Sequence, residues 1–330
     1  MKTALISGGL GFIGSFIARK LVEDKVVDKI VLLDHFGRYV DSSHGEFLDY
    51  RKFRTKGIED RIIIERGEAR YYSVISNIME RYRPELIYHL AALPLAKLPN
   101  LVSDEAIEGC ITSTSNLLEI AGKMKKKDGY EPKRFIYASS SMVYGDFLKS
   151  TADEEHPTNP KDIYGTMKLA GEQVTKGLSR YFGIKSSIIR PSAVYGPTDM
   201  NRRVSQLFIE KAIKKQKISI QGINEKLDFS YVKDVAKGFV LVSIHEDAID
   251  ETFNITYGNA RTLLDFAMVL KKHFPWLEYE IKDRDTFRPQ RGTLSIEKAK
   301  SLLGYRPDYD LEKGVDEYVQ FIKENNLNLF

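Results

Sequence analysis

The chain has 330 residues, with 50 Lys and Arg against 46 Asp and Glu, a net charge of +4 at neutral pH. That length allows two domains, or one large α/β domain with an annex, and an apolar share of 42% excludes global disorder. The charge is too mild and too evenly interleaved to call for a nucleic acid or a membrane surface, Cys110 as the single cysteine excludes a disulfide framework and a cysteine-built zinc site, and no apolar run reaches the ~18–20 residues of a membrane span.

The opening Met1-Lys2 runs straight into Thr3-Ala4-Leu5-Ile6-Ser7, which predicts a buried strand at Thr3–Ser7 and lacks the parts of a signal peptide, so the expected location is cytoplasmic. Further β-branched runs predict strands at Lys29–Asp34, Ile62–Glu65, Leu86–His89, Arg134–Ala138 and Ser186–Arg190. Between them, helical spacing predicts helices over 12–24, 72–83, 103–127 and 162–182, the last with Asp162 as N-cap and Gly183 as its stop. Strand–helix alternation with wholly apolar strands implies an α/β, doubly wound parallel sheet covered on both faces. After Pro191 the rhythm loosens into a smaller, mixed α/β region. Helices are expected there at 201–214, 232–245, 263–273, 295–303 and 311–324, and short strands near 218–221, 251–255 and 278–281. Thr262 with Asp265 forms a capping-box pattern, and Ser295 is expected to cap the helix after it.

Four glycines fall between positions 8 and 14, directly after the first strand and at the start of the first helix. A dinucleotide pyrophosphate needs close backbone approach and a helix N-terminus whose free N–H groups face the anion. Gly8, Gly11 and Gly14 supply the tight turn, the close approach and the helix–strand packing, in a G-x-x-G-x-x-G spacing. Asp34 ends the second strand 20 residues beyond Gly14, where a carboxylate accepts from the adenosine ribose hydroxyls and repels a 2′-phosphate. That favours NAD; Arg38, just downstream, is the one residue pointing towards NADP.

Tyr164 and Lys168 stand four residues apart on a predicted helix and share one face. A phenol is a poor base at neutral pH unless a nearby cation favours its ionised form. The strand at 134–138 runs into Ser139-Ser140-Ser141-Met142-Val143-Tyr144-Gly145, at the carboxyl end of a parallel strand, where a catalytic hydroxyl belongs.

Together these segments resemble the extended short-chain dehydrogenase/reductase superfamily, in particular its NAD-dependent nucleotide-sugar epimerase/dehydratase branch, across essentially the whole chain. Gly8–Gly14 is similar to its G-x-x-G-F-I-G turn, His89-Leu90-Ala91-Ala92 to its H-x-A-A strand end, and Ser139–Gly145 to its S-S-x-x-V-Y-G loop. Tyr164 and Lys168 match Y-x-x-x-K, followed by Arg190-Pro191 and Val194-Tyr195-Gly196-Pro197. Asp228-Phe229-Ser230-Tyr231-Val232-Lys233-Asp234-Val235 resembles D-F-x-Y-V-x-D-V, and Arg288-Pro289 with Lys298-Ala299 and Leu303-Gly304-Tyr305-Arg306-Pro307 resembles the C-terminal substrate-domain pattern.

The resemblance implies a Rossmann-type NAD-binding domain over 1–185, to which 228–250 returns, and a nucleotide-sugar-binding domain over most of 186–330. It implies Ser140, Tyr164 and Lys168 as catalytic residues. The cofactor would be NAD, held by Gly8, Gly11, Phe12, Ile13, Gly14, Asp34, Ala91, Tyr164 and Lys168, with Glu68 in the place of the acidic residue that meets adenine. His89 reads as a satisfied core imidazole, Cys110 as a packing residue, and no metal site is expected.

In the family mechanism the tyrosine takes the proton of the sugar C4 hydroxyl while hydride leaves C4 for NAD, giving a 4-keto sugar. Dehydratases of this branch follow the catalytic hydroxyl residue with Asp-Glu, and decarboxylases keep the Glu; this chain has Ser141 and Met142 there. The expectation is therefore an NAD-dependent nucleoside-diphosphate-sugar 4-epimerase, ahead of a 4,6-dehydratase, a sugar-acid decarboxylase, a 4-keto-sugar reductase or a non-catalytic NAD(P)-binding regulator. Ser141, Arg202, Arg203, Arg288 and Arg291 are the substrate-binding candidates, the arginines for the diphosphate, with only one of Arg202 and Arg203 pointing inward. The family's arginine before D-F is replaced by Leu227. The partner is expected to be a nucleoside-diphosphate sugar, with no nucleic acid or membrane, and the family's pairing through the helices near 103–127 and 162–182 implies a homodimer.

Overall fold

The computed structural model describes residues 1–37, 49–91 and 102–325, so Arg38 and Ala92 lie outside the described residues. The first part of the chain forms β1 (Thr3–Ser7), α1 (Phe12–Glu23), β2 (Lys29–Asp34), α2 (Arg51–Thr55), β3 (Ile62–Arg66), α3 (Tyr72–Tyr82) and β4 (Leu86–His89). It continues through α4 (Ser103–Ile107), α5 (Ser113–Asp128), β5 (Arg134–Ala138), β6 (Thr151–Ala152), α6 (Ile163–Phe182) and β7 (Ser186–Arg190). The remainder forms α7 (Val204–Ile213), β8 (Ile218–Gln221), β9 (Lys226–Leu227), α8 (Val232–Ile244), β10 (Thr252–Asn254), β11 (Arg261–Thr262), α9 (Leu263–His273), β12 (Tyr279–Lys282), β13 (Thr293–Leu294), α10 (Glu297–Leu303) and α11 (Leu311–Glu324).

Seven strands make one parallel sheet in the order β10-β7-β5-β4-β1-β2-β3, the doubly wound Rossmann-like arrangement the alternation predicted. Side chains alternate across it. Ala4, Ile6, Leu32, Tyr88, Ile136 and Ile189 face α1, α8 and α10, whereas Leu5, Val31, Leu33, Ile87, Phe135 and Ile188 face α3 and α5. Burial on both faces is why these strands read as unbroken apolar runs.

A second core lies under α7, α9 and α11, with Phe208, Ile209, Phe266, Leu270, Val315 and Val319 at its centre. The split expected at residue 185 cuts through the sheet: β7 lies between β5 and β10 and belongs to the first unit. α8 packs its apolar residues on α1, so the chain re-enters that unit over this helix and again at β10. Conversely, Tyr50 and Phe53, early in the sequence, are part of the second core.

Local signals mostly settle element ends. Asp162 caps α6 by accepting from the Gly165 N–H at 2.7 Å, Gly183 ends it in the left-handed region at φ 65°, and Thr262 with Asp265 forms the capping box of α9. Ser295 is one residue too early to be the cap of α10: Ile296 holds that place, and the Ser295 hydroxyl accepts from the Glu297 N–H at 3.4 Å. The helix expected at 201–214 starts only at Val204. The helix expected over 103–127 is interrupted by one π-helical turn, Glu108–Thr112, which contains the buried Cys110.

The buried centre is pinned by an ion pair. Glu172 of α6 is 0% exposed and Arg190 at the end of β7 is 4% exposed, joined bidentately at 2.8 and 2.7 Å. Arg190→Met leaves that carboxylate buried without its partner and is expected to cost about 3–5 kcal/mol of unfolding free energy. The double variant Glu172→Leu with Arg190→Met is expected to recover most of the loss, as read by urea denaturation.

Candidate active site

The strand order reverses between β1 and β4, and at this switch point the carboxyl ends of the strands open into a cleft of about 1450 Å³. Its floor is the glycine turn. Gly8 sits at φ 74°, its N–H donates to Leu33 O at 2.8 Å, and its carbonyl accepts from the Gly11 N–H at 3.1 Å. A Cβ at Gly14 would stand 2.4 Å from the Gly8 oxygen, so helix and turn meet at a distance that no other residue permits. α1 has no side-chain cap and no acidic residue in its first turn. Its exposed N–H groups and dipole are therefore available to an anion, which fits a dinucleotide pyrophosphate.

Asp34 closes the far end of this floor and accepts from the Leu10 N–H at 3.1 Å and the Phe36 N–H at 2.9 Å. Burial works to raise its pKa, but hydrogen bonds from His35, Phe36 and Leu10 leave it below the ordinary carboxylate value. It is thus an ionised acceptor turned to the cleft. Glu68 also lines the cleft, with its carboxylate paired to Arg70 at 2.5 Å. Phe12 and Ile13 border it, and the Ala91 N–H donates to Ser7 Oγ at 3.3 Å. His89 is 1% exposed beneath, with Nδ1 2.6 Å from Ser7 Oγ and Nε2 3.1 Å from Ser113 Oγ. Burial, with the Lys168 charge adding to it, pushes its pKa down to about 3, so it is a neutral structural imidazole.

The middle of the cleft joins β5 to α6. Lys168 is 4% exposed; its Nζ donates to Ala138 O at 2.7 Å and lies 5.9 Å from the Tyr164 ring centroid. One turn on, Glu172 accepts from Ser139 Oγ at 2.5 Å as well as from Arg190. The Ser139 and Ser141 N–H groups donate to Ile189 O and Pro191 O at 2.8 and 2.9 Å. Ser140, between them, is held on both sides, with Oγ accepting from the Met142 N–H at 3.2 Å. Ser140, Ser141, Tyr164 and Lys168 all border the same cleft. Ser140, Tyr164 and Lys168 together offer a hydroxyl, a phenol and a cation able to act on one oxygen of a bound molecule.

At the other end the cleft reaches the second core. Arg202, Arg203, Arg288 and Arg291 all line it. Arg202 takes a left-handed backbone at φ 48°, and Arg203 Nη1 donates to Val194 O at 3.2 Å. The Nε atoms of Arg203 and Arg291 are buried without a hydrogen-bond partner. Burial, reinforced by Arg288 and Arg203, pushes Arg291 down to about 10, whereas Asp162 and Glu225 oppose that. Arg288 Nε pairs with Asp285 at 3.2 Å; guanidiniums gathered along one cleft suit an anionic ligand, and a diphosphate matches their geometry. Leu227 borders this end and packs on the second core.

Two participants escaped the sequence reading. Glu172 continues the Tyr164 and Lys168 face at the same four-residue interval, a spacing that could have revealed it. Arg54 also lines the cleft, but its helix is five residues long, too short for any periodic signal.

The family model for the NAD dependent epimerase/dehydratase family matches residues 4–256. A Methanocaldococcus jannaschii protein provisionally named a UDP-glucose 4-epimerase is 30% identical over 98% of this chain and 99% of its own length. UDP-glucuronic acid decarboxylase 1 of Danio rerio is 28% identical over 97% of this chain and 72% of its own. Among solved structures, UDP-glucose 4-epimerase of Thermotoga maritima with UDP-glucose superposes with a TM-score of 0.84 at 25% identity, covering 98% of this chain and 99% of that one. UDP-glucuronic acid 4-epimerase of Bacillus cereus, with UDP-glucuronic acid and NAD, gives 0.85 at 24% identity over 98% and 99%.

The buried imidazole has a pH consequence. Below about 6.5 the unfolded chain protonates His89, while the folded chain does not until about pH 3. Unfolding free energy is therefore expected to fall as pH drops through this window, by roughly 2–3 kcal/mol from this group between pH 6.5 and 4.5. Denaturation at several pH values should show a flatter profile for His89→Gln.

Proposed function

Because the chain belongs to the NAD dependent epimerase/dehydratase family, with NAD as its cofactor, we propose that it is a nucleoside-diphosphate-sugar 4-epimerase. The observation that carries this reading is the pair after the catalytic hydroxyl: Ser141 and Met142 are both buried at the cleft and neither is acidic. The nearest acidic side chain in sequence to Tyr164, Asp162, is engaged in capping α6. Elimination of water needs an acid and a base beside C5 and C6 of the sugar, and this wall supplies neither.

NAD, when bound on the glycine floor, supplies reversible hydride transfer at the sugar C4 carbon. The protein's own groups manage the proton and the charge. Tyr164 accepts the C4 hydroxyl proton and later returns it, with the Lys168 ammonium as counter-charge. Ser140 Oγ donates a hydrogen bond to the same sugar oxygen as negative charge develops there. Arg203, Arg288 and Arg291 hold the diphosphate while the sugar ring turns to present its other face, which requires that the anchor be remote from C4. Residues around the second core thus form the nucleotide-sugar side of the cleft, and the sheet forms the NAD side.

The reading extends to a cytoplasmic homodimer paired through α5 and α6, whose outer surface includes the exposed Gln173, Gly177 and Tyr181. Sedimentation is expected to show a species of twice the chain mass.

The deciding assay incubates the purified protein with UDP-glucose or UDP-glucuronic acid, the ligands of the two structural relatives. The expected product is the C4 epimer, with unchanged mass and no net change in nicotinamide absorbance. A product lacking water or carbon dioxide, or stoichiometric consumption of reduced cofactor, overturns the reading. Tyr164→Phe should lower kcat by about 10²–10⁴-fold, the usual worth of a general base.

A further inference from the structure

The two halves of the cleft are stitched together by a residue that neither the motifs nor the reaction assigns. α2 precedes β3 in sequence, yet Phe53 and the preceding Tyr50 are anchored in the second core, where the Phe53 ring meets Phe321 of α11 edge-on at 5.9 Å. From the same helix Arg54 reaches back to the cofactor floor. Its Nη1 donates to Leu10 O, inside the glycine turn, at 2.8 Å. Its Nη2 donates to Thr198 O at 2.6 Å and its Nε to Thr198 Oγ1 at 3.3 Å.

Both receiving residues are placed to matter. The N–H of the same residue, Leu10, donates to Asp34, so the turn residue whose carbonyl Arg54 grips also helps fix the carboxylate at the ribose end. Thr198 is buried and held at φ 70°, in the loop that leads from β7 to Arg202 and Arg203. The next residue, Asp199, is 1% exposed with Oδ2 unpartnered; burial pushes its carboxyl up, and the Arg203 and Arg54 charges oppose that. A continuous path of hydrogen bonds, Asp34–Leu10–Arg54–Thr198, runs from the cofactor floor to the arginine loop.

We propose that Arg54 is a positioning residue that fixes the glycine turn against the loop carrying Arg202 and Arg203, so that dinucleotide and sugar nucleotide are held in one frame. The planar guanidinium suits this task because its donors point in fixed, divergent directions; an ammonium can replace one of the three bonds but not all. Hydride transfer between two separately bound molecules is sensitive to their relative placement, and a misplacement of about 1 Å can cost about 10²-fold in rate.

The test compares Arg54→Met and Arg54→Lys with the parent protein. Native mass spectrometry measures how much nicotinamide dinucleotide survives dialysis, and turnover of UDP-glucose or UDP-glucuronic acid gives kcat and KM. Arg54→Met is expected to lose at least about tenfold in kcat with a smaller change in KM, and to retain less than about half of the parent's dinucleotide. Arg54→Lys is expected to fall between. Wild-type kcat together with wild-type retention in both variants overturns the proposal, and should Arg54→Met fail to fold by circular dichroism, Arg54→Lys decides it. The kinetic readout rests on the epimerase reading, whereas dinucleotide retention does not. Failure of the parent protein to turn over either sugar nucleotide therefore counts against that reading and leaves retention to judge Arg54.

Discussion

A carboxylate with no exposed surface organises the centre of this protein. A buried Glu172 is costly in an apolar interior unless both carboxylate oxygens are engaged, and Arg190 and Ser139 engage them with three hydrogen bonds. Those two partners come from the ends of adjacent parallel strands, so the ion pair locks α6 across the sheet at one height. Lys168, one turn earlier, reaches Ala138 by the same geometry. The candidate site groups on a helix and a loop thereby acquire the fixed spacing of a sheet, which flexible segments alone could not give. Arg190 also donates to the Tyr144 hydroxyl at 3.0 Å and stacks on that ring, extending the lock into the serine loop.

How much of this was legible in the sequence depends on whether the signal is local. The strands of the sheet are apolar on both faces and bounded by turn residues, so β1, β2, β4, β5 and β7 have the predicted limits. Asp162, Gly183 and the Thr262–Asp265 pair act within one helical turn, and they too were readable. The candidate site residues were readable because the glycine turn and the tyrosine–lysine pair are local patterns. The cleft brings them together with the four arginines that lie far apart in sequence.

The misreadings concern what only packing decides. Two-residue strands such as β6 and β13 pair with each other across more than a hundred residues and carry no period of their own. β7, just past residue 185, pairs within the sheet, and a strand looks the same in sequence whether it closes one sheet or opens another unit. Ser295 had the right chemistry for a cap but stands one residue outside the position that backbone geometry selected. Arg54 acts through backbone carbonyls on distant segments, and a carbonyl has no sequence signature.

The repeated crossing of the chain between its two cores has a consequence for how the molecule can be divided. A fragment ending near residue 185 would carry the glycine floor and Tyr164 but lack β7 and β10 on one side of the sheet, Arg190 for Glu172, and α8 against α1. Tyr50 and Phe53, at the start of α2, would be presented to water. The complementary fragment would lack that aromatic wedge. Neither half is a module that can be excised, transplanted or exchanged intact; the two ends of the chain hold one another's cores together.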